Sequence, residues 1–136
     1  MNKIGGFELL QKAVAAAAFH NSGERFDPPR CHPNTRTAVI DNIMDWILGL
    51  AEEEYESVIM WLHGAAGAGK SAIAQTIAER CQALNLLLAS FFFSRSDPSR
   101  SHAKYLIATI AYQVAMNFPS TRALITVVFH SIRQGL

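Results

Sequence analysis

Residues 61–75 read WLHGAAGAGKSAIAQ, and the fold turns on how this stretch is read. Gly64 to Ser71 satisfies GxxxxGK[ST], the spacing of a phosphate-binding loop. Glycine lacks a Cβ and lets the backbone wrap tightly. Gly64, Gly67 and Gly69, with Ala65, Ala66 and Ala68 between them, can therefore turn successive N–H groups toward phosphate oxygens. Lys70 supplies a mobile point charge for β- and γ-phosphates, and Ser71 offers a hydroxyl to Mg²⁺. The unpaired amides and positive dipole end of a helix starting at Lys70 favour an anion at the same place. The implied ligand is a nucleoside triphosphate with Mg²⁺.

The flanks fit this reading. SVIMWL at 57–62 is a short, continuous apolar run, the pattern of a strand buried on both faces of a parallel sheet. Behind the loop, Ile73, Ile77, Cys81 and Leu84 recur at helical spacing, and LNLLLASFFF at 84–93 supplies a second apolar strand. The expectation is an α/β fold, a strand–helix–strand unit of a parallel sheet with helices before it.

Further out, FELLQKAVAAAAF at 7–19 predicts a helix that ends in HNSGERFDPP, where Gly23 and Pro28-Pro29 stop it. Ile40, Ile43, Met44 and Ile47 mark one face of a second helix, with Asn34 or Thr35 as its cap and Gly49 near its end. EEEYE at 52–56 reads as a solvated connection, and SRSDPSRSH at 94–102 as a polar loop. Ile107, Ile110, Ala111, Val114 and Phe118 give another inward helical face, and Ser120 caps a last helix through about Ile132.

Half of the residues are apolar, so a chain of 136 residues can bury a core. The 12 basic and 11 acidic side chains nearly cancel, which gives no reason to expect nucleic acid or a membrane as partner. No apolar run approaches the ~20 residues of a spanning helix. Cys31 and Cys81 lie far apart and outside any zinc-ligand spacing, which fits a reducing, cytoplasmic setting.

The elements CHPNTR, IMDWI, VIMWLHGAAGAGKSAIAQTIAERC, LLASFFFSR and LIATIAYQVA, in this order over roughly residues 30–118, resemble the start of the NACHT-type P-loop NTPase domain of fungal NLR-like STAND proteins with nephrocystin-like N-terminal modules. The resemblance implies an N-terminal helix and linker over 1–30 and the N-terminal part of the NTPase domain over 31–136. It also implies a signalling switch that binds ATP or GTP, acts with further domains of the parent chain and forms homo-oligomers on activation. Lys70 and Ser71 then contact triphosphate and Mg²⁺, and Thr35 and Arg36 stand where the family's upstream element approaches the base. On the residues alone, Thr35 serves equally as a cap and Arg36 as a solvated side chain. Arg95 at a strand end and His63 beside the loop are further candidates for ligand contact, against solvated or packed roles.

Hydrolysis in that family needs an apolar strand ending in an acidic pair, and none follows the loop here. Asp97 trails the first strand after the loop and is a poor substitute, so the resemblance implies binding without turnover and a module cut before its catalytic acid. A guanine-reading NKxD is absent, which favours ATP. The competing readings are a small P-loop phosphotransferase, a nucleotide-independent interaction fragment, and a DNA-associated ATPase resting on Arg95, Arg100, His102 and Lys104. With so little of the sheet encoded, helices should form while the sheet stays incomplete and apolar side chains such as Phe91 to Phe93 stay exposed.

Overall fold

The computed structural model describes residues 5–25, 27–50 and 57–133. Its regular elements are α1 (Gly6–Lys12), α2 (Thr37–Leu48), α3 (Lys70–Ala83), α4 (Leu106–Asn117) and α5 (Arg122–Arg133), with 3₁₀ turns at Ala16–Ala18, Ala103–Tyr105 and Pro119–Thr121. No β-strand occurs among the described residues, and the expected parallel-sheet P-loop fold is thereby overturned. The physical reason lies in what a strand requires. An apolar run becomes a strand only when neighbouring backbone completes its ladder. Here the two runs fall in different compact units, 57–62 in residues 27–86 and 87–93 with the residues that pack around α4.

The unit spanning 27–86 is a helix pair. Ile40 and Met44 of α2 are buried, as are Ile73, Ala78 and Cys81 of α3, and the two helices pack on one another. Both end the same way. Gly49 turns into the left-handed region (φ 71°), and the Leu50 amide reaches back to the Asp45 carbonyl at 2.8 Å. Asn85 (φ 57°) lets the Leu86 amide reach the Cys81 carbonyl at 2.8 Å. Each closure satisfies carbonyls that a helix end leaves open. The segment before α2 is tied to α3: Arg30 Nε donates to both Glu79 carboxylate oxygens at 2.7 and 2.9 Å, and the Cys31 amide donates to Thr76 Oγ1 at 3.1 Å. The run at 57–62, expected to be buried, is largely open to solvent, with Val58 89% and Trp61 82% exposed. The acidic connection at 52–56 lies outside the described residues.

The other unit joins the chain up to residue 26 with residues from 87 onward. Its core holds Leu10 and an unusual share of alanine: Ala15, Ala17, Ala18, Ala108 and Ala115. Small side chains let helices approach closely, and Gly6 shows how closely. A Cβ there would lie 2.6 Å from Thr126 Cγ2 and 3.1 Å from the Thr126 carbonyl of α5. Phe7 stacks on Tyr112 of α4 with centroids 5.8 Å apart, and the Arg122 guanidinium lies 3.5 Å from the Phe7 ring centre. The helix expected over 7–19 stops at Lys12, because the Ala15 amide turns aside to donate to Thr109 Oγ1 at 3.0 Å, fully buried.

In this unit the second apolar run lies along α4 without forming a strand. The Gln113 side-chain amide takes both backbone groups of Ser90: its Oε1 accepts from the Ser90 amide at 3.1 Å and its Nε2 donates to the Ser90 carbonyl at 2.8 Å. Asn117 Nδ2 donates to the Leu88 carbonyl at 2.9 Å, and the Phe92 amide donates to the Ala18 carbonyl at 2.8 Å. Side chains, and at Phe92 the Ala18 carbonyl, supply the partners that a neighbouring strand would have given. Phe91 and Phe92 are half-buried, and Phe93 is exposed.

Candidate functional site

The loop at 64–69 leads into α3 inside the 27–86 unit. Gly67 (φ 79°) and Gly69 (φ 83°) both occupy the left-handed region, the conformations for which the sequence reading reserved glycine. The Ala68 amide donates to the Ala65 carbonyl at 3.2 Å, which closes a turn around Ala66 and Gly67. Gly64, Ala65, Ala66 and Gly67 are exposed and Ala68, Gly69 and Lys70 half-buried, so the turn faces solvent. Behind it, the Ile73 amide is the first in α3 to reach back, to the Gly69 carbonyl at 3.0 Å. The amides of Lys70, Ser71 and Ala72 precede that bond and have no carbonyl behind them within the helix.

Lys70 folds over its own loop. Nζ donates to the Gly64 carbonyl at 2.7 Å and to the Ala65 carbonyl at 2.8 Å. The ammonium therefore stands at the start of the turn, held by neutral oxygens that an anion would outcompete. Ser71, one residue on, is exposed and free of burial cost for reaching a hydrated ion. Mg²⁺ keeps most of its waters and takes one or two protein oxygens beside substrate phosphates, so a lone hydroxyl in this place fits it. No cluster of three His, Cys, Asp or Glu suited to a metal occurs among the described residues.

The upstream pair divides. Thr35 does not cap α2: its Oγ1 donates to the His32 carbonyl at 2.7 Å, and its amide donates to the same oxygen at 3.0 Å. The expected cap at Asn34 or Thr35 is replaced by Arg36, which precedes α2 in the left-handed region (φ 56°, ψ 23°) and gives no side-chain cap. That backbone swings the Arg36 side chain onto the loop. A Cβ built on Gly69 would meet the guanidinium at 3.1 to 3.2 Å, touching Nη2, Cζ and Nε. Of the two upstream candidates, Arg36 is brought to the loop and Thr35 is spent on a local turn.

His63 is exposed just before the loop. Arg95 is exposed in the other unit. Asp97, in that unit too, is fully engaged in its own turn: it accepts from Ser99 Oγ at 2.7 Å, the Ser99 amide at 2.9 Å and Arg100 Nε at 2.8 Å. The Ser99 hydroxyl first, then Arg100 and the Ser99 amide, hold its carboxyl below the usual carboxylate range. A carboxylate so occupied is a turn staple. Burial pushes the Cys81 thiol up, which leaves it a packing group of α3. Sequence reading missed the left-handed turn at Arg36. Only Asn34 (φ 62°) advertised a left-handed backbone nearby, through the tolerance of asparagine for that region.

No helix among the described residues is long and apolar enough to cross a membrane. Comparison with curated proteins and with solved structures gives no match. A family model does match: that of Nephrocystin 3, N-terminal, over residues 40–134. The matched stretch takes in most of α2, the glycine loop, α3, α4 and all of α5, while Thr35 and Arg36 lie before it. Covering well over half of the chain, the match makes this protein a member of the Nephrocystin 3, N-terminal family.

Proposed function

We propose that residues 64–71 bind the phosphates of a Mg²⁺-nucleoside triphosphate, ATP rather than GTP, and that this binding serves as a regulatory signal without turnover. The observation that carries the reading is the conjunction at one turn of two left-handed glycines, the Lys70 ammonium and the free first amides of α3. A glycine turn kept only for chain reversal has no use for a lysine folded into its mouth. Gly64, Ala65, Ala66, Gly67, Ala68 and Gly69 form the cradle, with the Ala68 amide closing the turn on Ala65, while Lys70 supplies the counter-charge and Ser71 the metal contact. Turnover needs a group that orients a nucleophile, and Asp97 is committed to Ser99 and Arg100. The STAND-type setting, with further domains of a parent chain and homo-oligomers as partners, belongs to the same proposal.

The test is a titration of a fluorescent ATP analogue with Mg²⁺ into wild type and Lys70→Ala. Loss of one partner of a charge-assisted contact costs about 2–3 kcal/mol, so affinity should fall by roughly 30- to 150-fold. Equal affinities for the two proteins would end the reading.

A further inference from the structure

We infer that the outer face of α5 is a contact between copies of this chain, and that two chains associate by crossing their α5 helices antiparallel about Val128. The inference gives a surface to the homo-oligomer of the reading above, and it needs neither nucleotide nor metal.

α5 is covered along one side only. It packs on α1 and α4, and Thr126 comes up against Gly6 of α1. Ile125, Thr126, Phe129 and His130 are half-buried on that side. The opposite side carries Leu124, Val127, Val128 and Ile132, each between 49% and 68% exposed, with Ser131 among them. Spacings of three and four place these five residues on one stripe. A helix that only closes its own core has no need of aliphatic side chains on its outer face. The single polar group of the stripe is already satisfied, since Ser131 Oγ donates to the Val127 carbonyl at 3.0 Å. Covering the stripe therefore strands no donor or charge.

The pattern of the stripe favours a second copy as its occupant. Leu124, Val128 and Ile132 lie four residues apart and form one ridge, with Val127 and Ser131 forming the next. Ridges of this kind interdigitate when two helices cross at about 50°. The ridge is symmetric about Val128, with a branched aliphatic residue four positions to each side. A two-fold axis at Val128 thus sets Leu124 of one copy beside Ile132 of the other, twice over. The antiparallel crossing also brings opposite dipole ends together. A lipid surface or an acidic helix would instead need cations flanking the stripe. Arg122 does not serve, because its guanidinium lies 3.5 Å from the centre of the Phe7 ring of α1, and His130 is half-buried on the inner side. A helix of 12 residues offers a contact only about 18 Å long, smaller than a permanent interface needs, so the association is reversible and set by concentration.

The experiment is sedimentation equilibrium of the full chain without nucleotide, from about 10 μM to about 1 mM, the range in which so small an interface associates. The average mass of wild type should rise from one chain toward two. Val128→Glu places two carboxylates at the axis and should raise the dissociation constant at least about 10-fold. Leu124→Lys and Ile132→Glu should each weaken association, while their equimolar mixture associates more tightly than either alone, because the antiparallel crossing sets the new ammonium beside the new carboxylate. All three positions are exposed, so circular dichroism and melting of each variant should match wild type. A wild type that stays monomeric throughout, or a Val128→Glu chain that associates as wild type does, would overturn the inference. A mixture no tighter than its components would overturn the antiparallel crossing. Monomeric wild type that sediments with phosphatidylserine vesicles, an effect lost in Val128→Glu, would give the stripe to a lipid surface and overturn the inference as well. None of these outcomes touches the phosphate loop, which the ATP titration tests separately.

Discussion

Gly69 carries two demands at once, a left-handed backbone (φ 83°) and an open face for the Arg36 guanidinium. Gly69→Ala should therefore destabilise the 27–86 unit by about 1–2 kcal/mol through the left-handed penalty alone, and also push Arg36 off the loop. Denaturant unfolding checks the first effect, and a downfield or upfield change of the Arg36 Nε–H signal the second. Asp97 gives a pH test. Its carboxyl titrates lower in the folded chain than in the unfolded one, so the stability it adds is complete above the unfolded carboxylate range and is lost as pH falls through the folded value. Asp97→Asn should thus lower stability at neutral pH and flatten the decline below about pH 4. Parallel acid-unfolding curves for the two proteins would contradict this. The left-handed turns at Gly67 and Gly69 were legible in sequence because glycine takes that backbone without a steric cost. The approach of Arg36 was not, since it depends on one unusual backbone angle two residues after Asn34.

Helices were readable at the level of elements because a helix satisfies its own backbone and needs from its neighbours only a place for one apolar stripe. α2 and α3 sit where their periodicity placed them, with Ile40, Met44, Ile73 and Cys81 inward, although Leu84, expected on the same face of α3, falls past its end and is exposed. α4 is turned from its expected face: Ala108, Thr109 and Ala115 are buried and Ile107 is 72% exposed. Thr109 turns inward because its Oγ1 takes the buried Ala15 amide, a constraint set by hydrogen bonding and invisible to hydrophobicity. The strands failed for the opposite reason, since an apolar run does not state whether a ladder partner exists. Gln113 now fills that role for Ser90. Gln113→Leu keeps the bulk and removes the amide, leaving the Ser90 N–H and carbonyl unpaired in a half-buried position, and should cost about 1–3 kcal/mol. Loss of hydrogen-exchange protection at Ser90 is the local readout, and unchanged protection would show that the amide contributes nothing.

For the whole molecule, the state of residue 61 separates a sheet from its absence. Trp61 is 82% exposed, whereas Trp46 is half-buried with its Nε1 donating to the Ser57 carbonyl at 3.1 Å. Trp46→Phe should therefore leave a protein with red-shifted emission that acrylamide quenches as freely as it does in the unfolded chain. A blue-shifted, protected signal would mean that 57–62 is packed as the sequence alone suggested. The division of the chain has a consequence for synthesis. One unit is continuous from 27 to 86, while the other is built from both sides of it, and its buried Ala15–Thr109 bond joins residues 94 positions apart. On a ribosome the helix pair of 27–86 can close as soon as α3 emerges, because its contacts are short in sequence. α1 emerges first yet finds no surface for Leu10 until α4 and α5 have been made. The nascent chain thus matures from its middle outward, and a halt in translation just after α3 leaves the glycine loop formed while the first helix is still waiting for its partners.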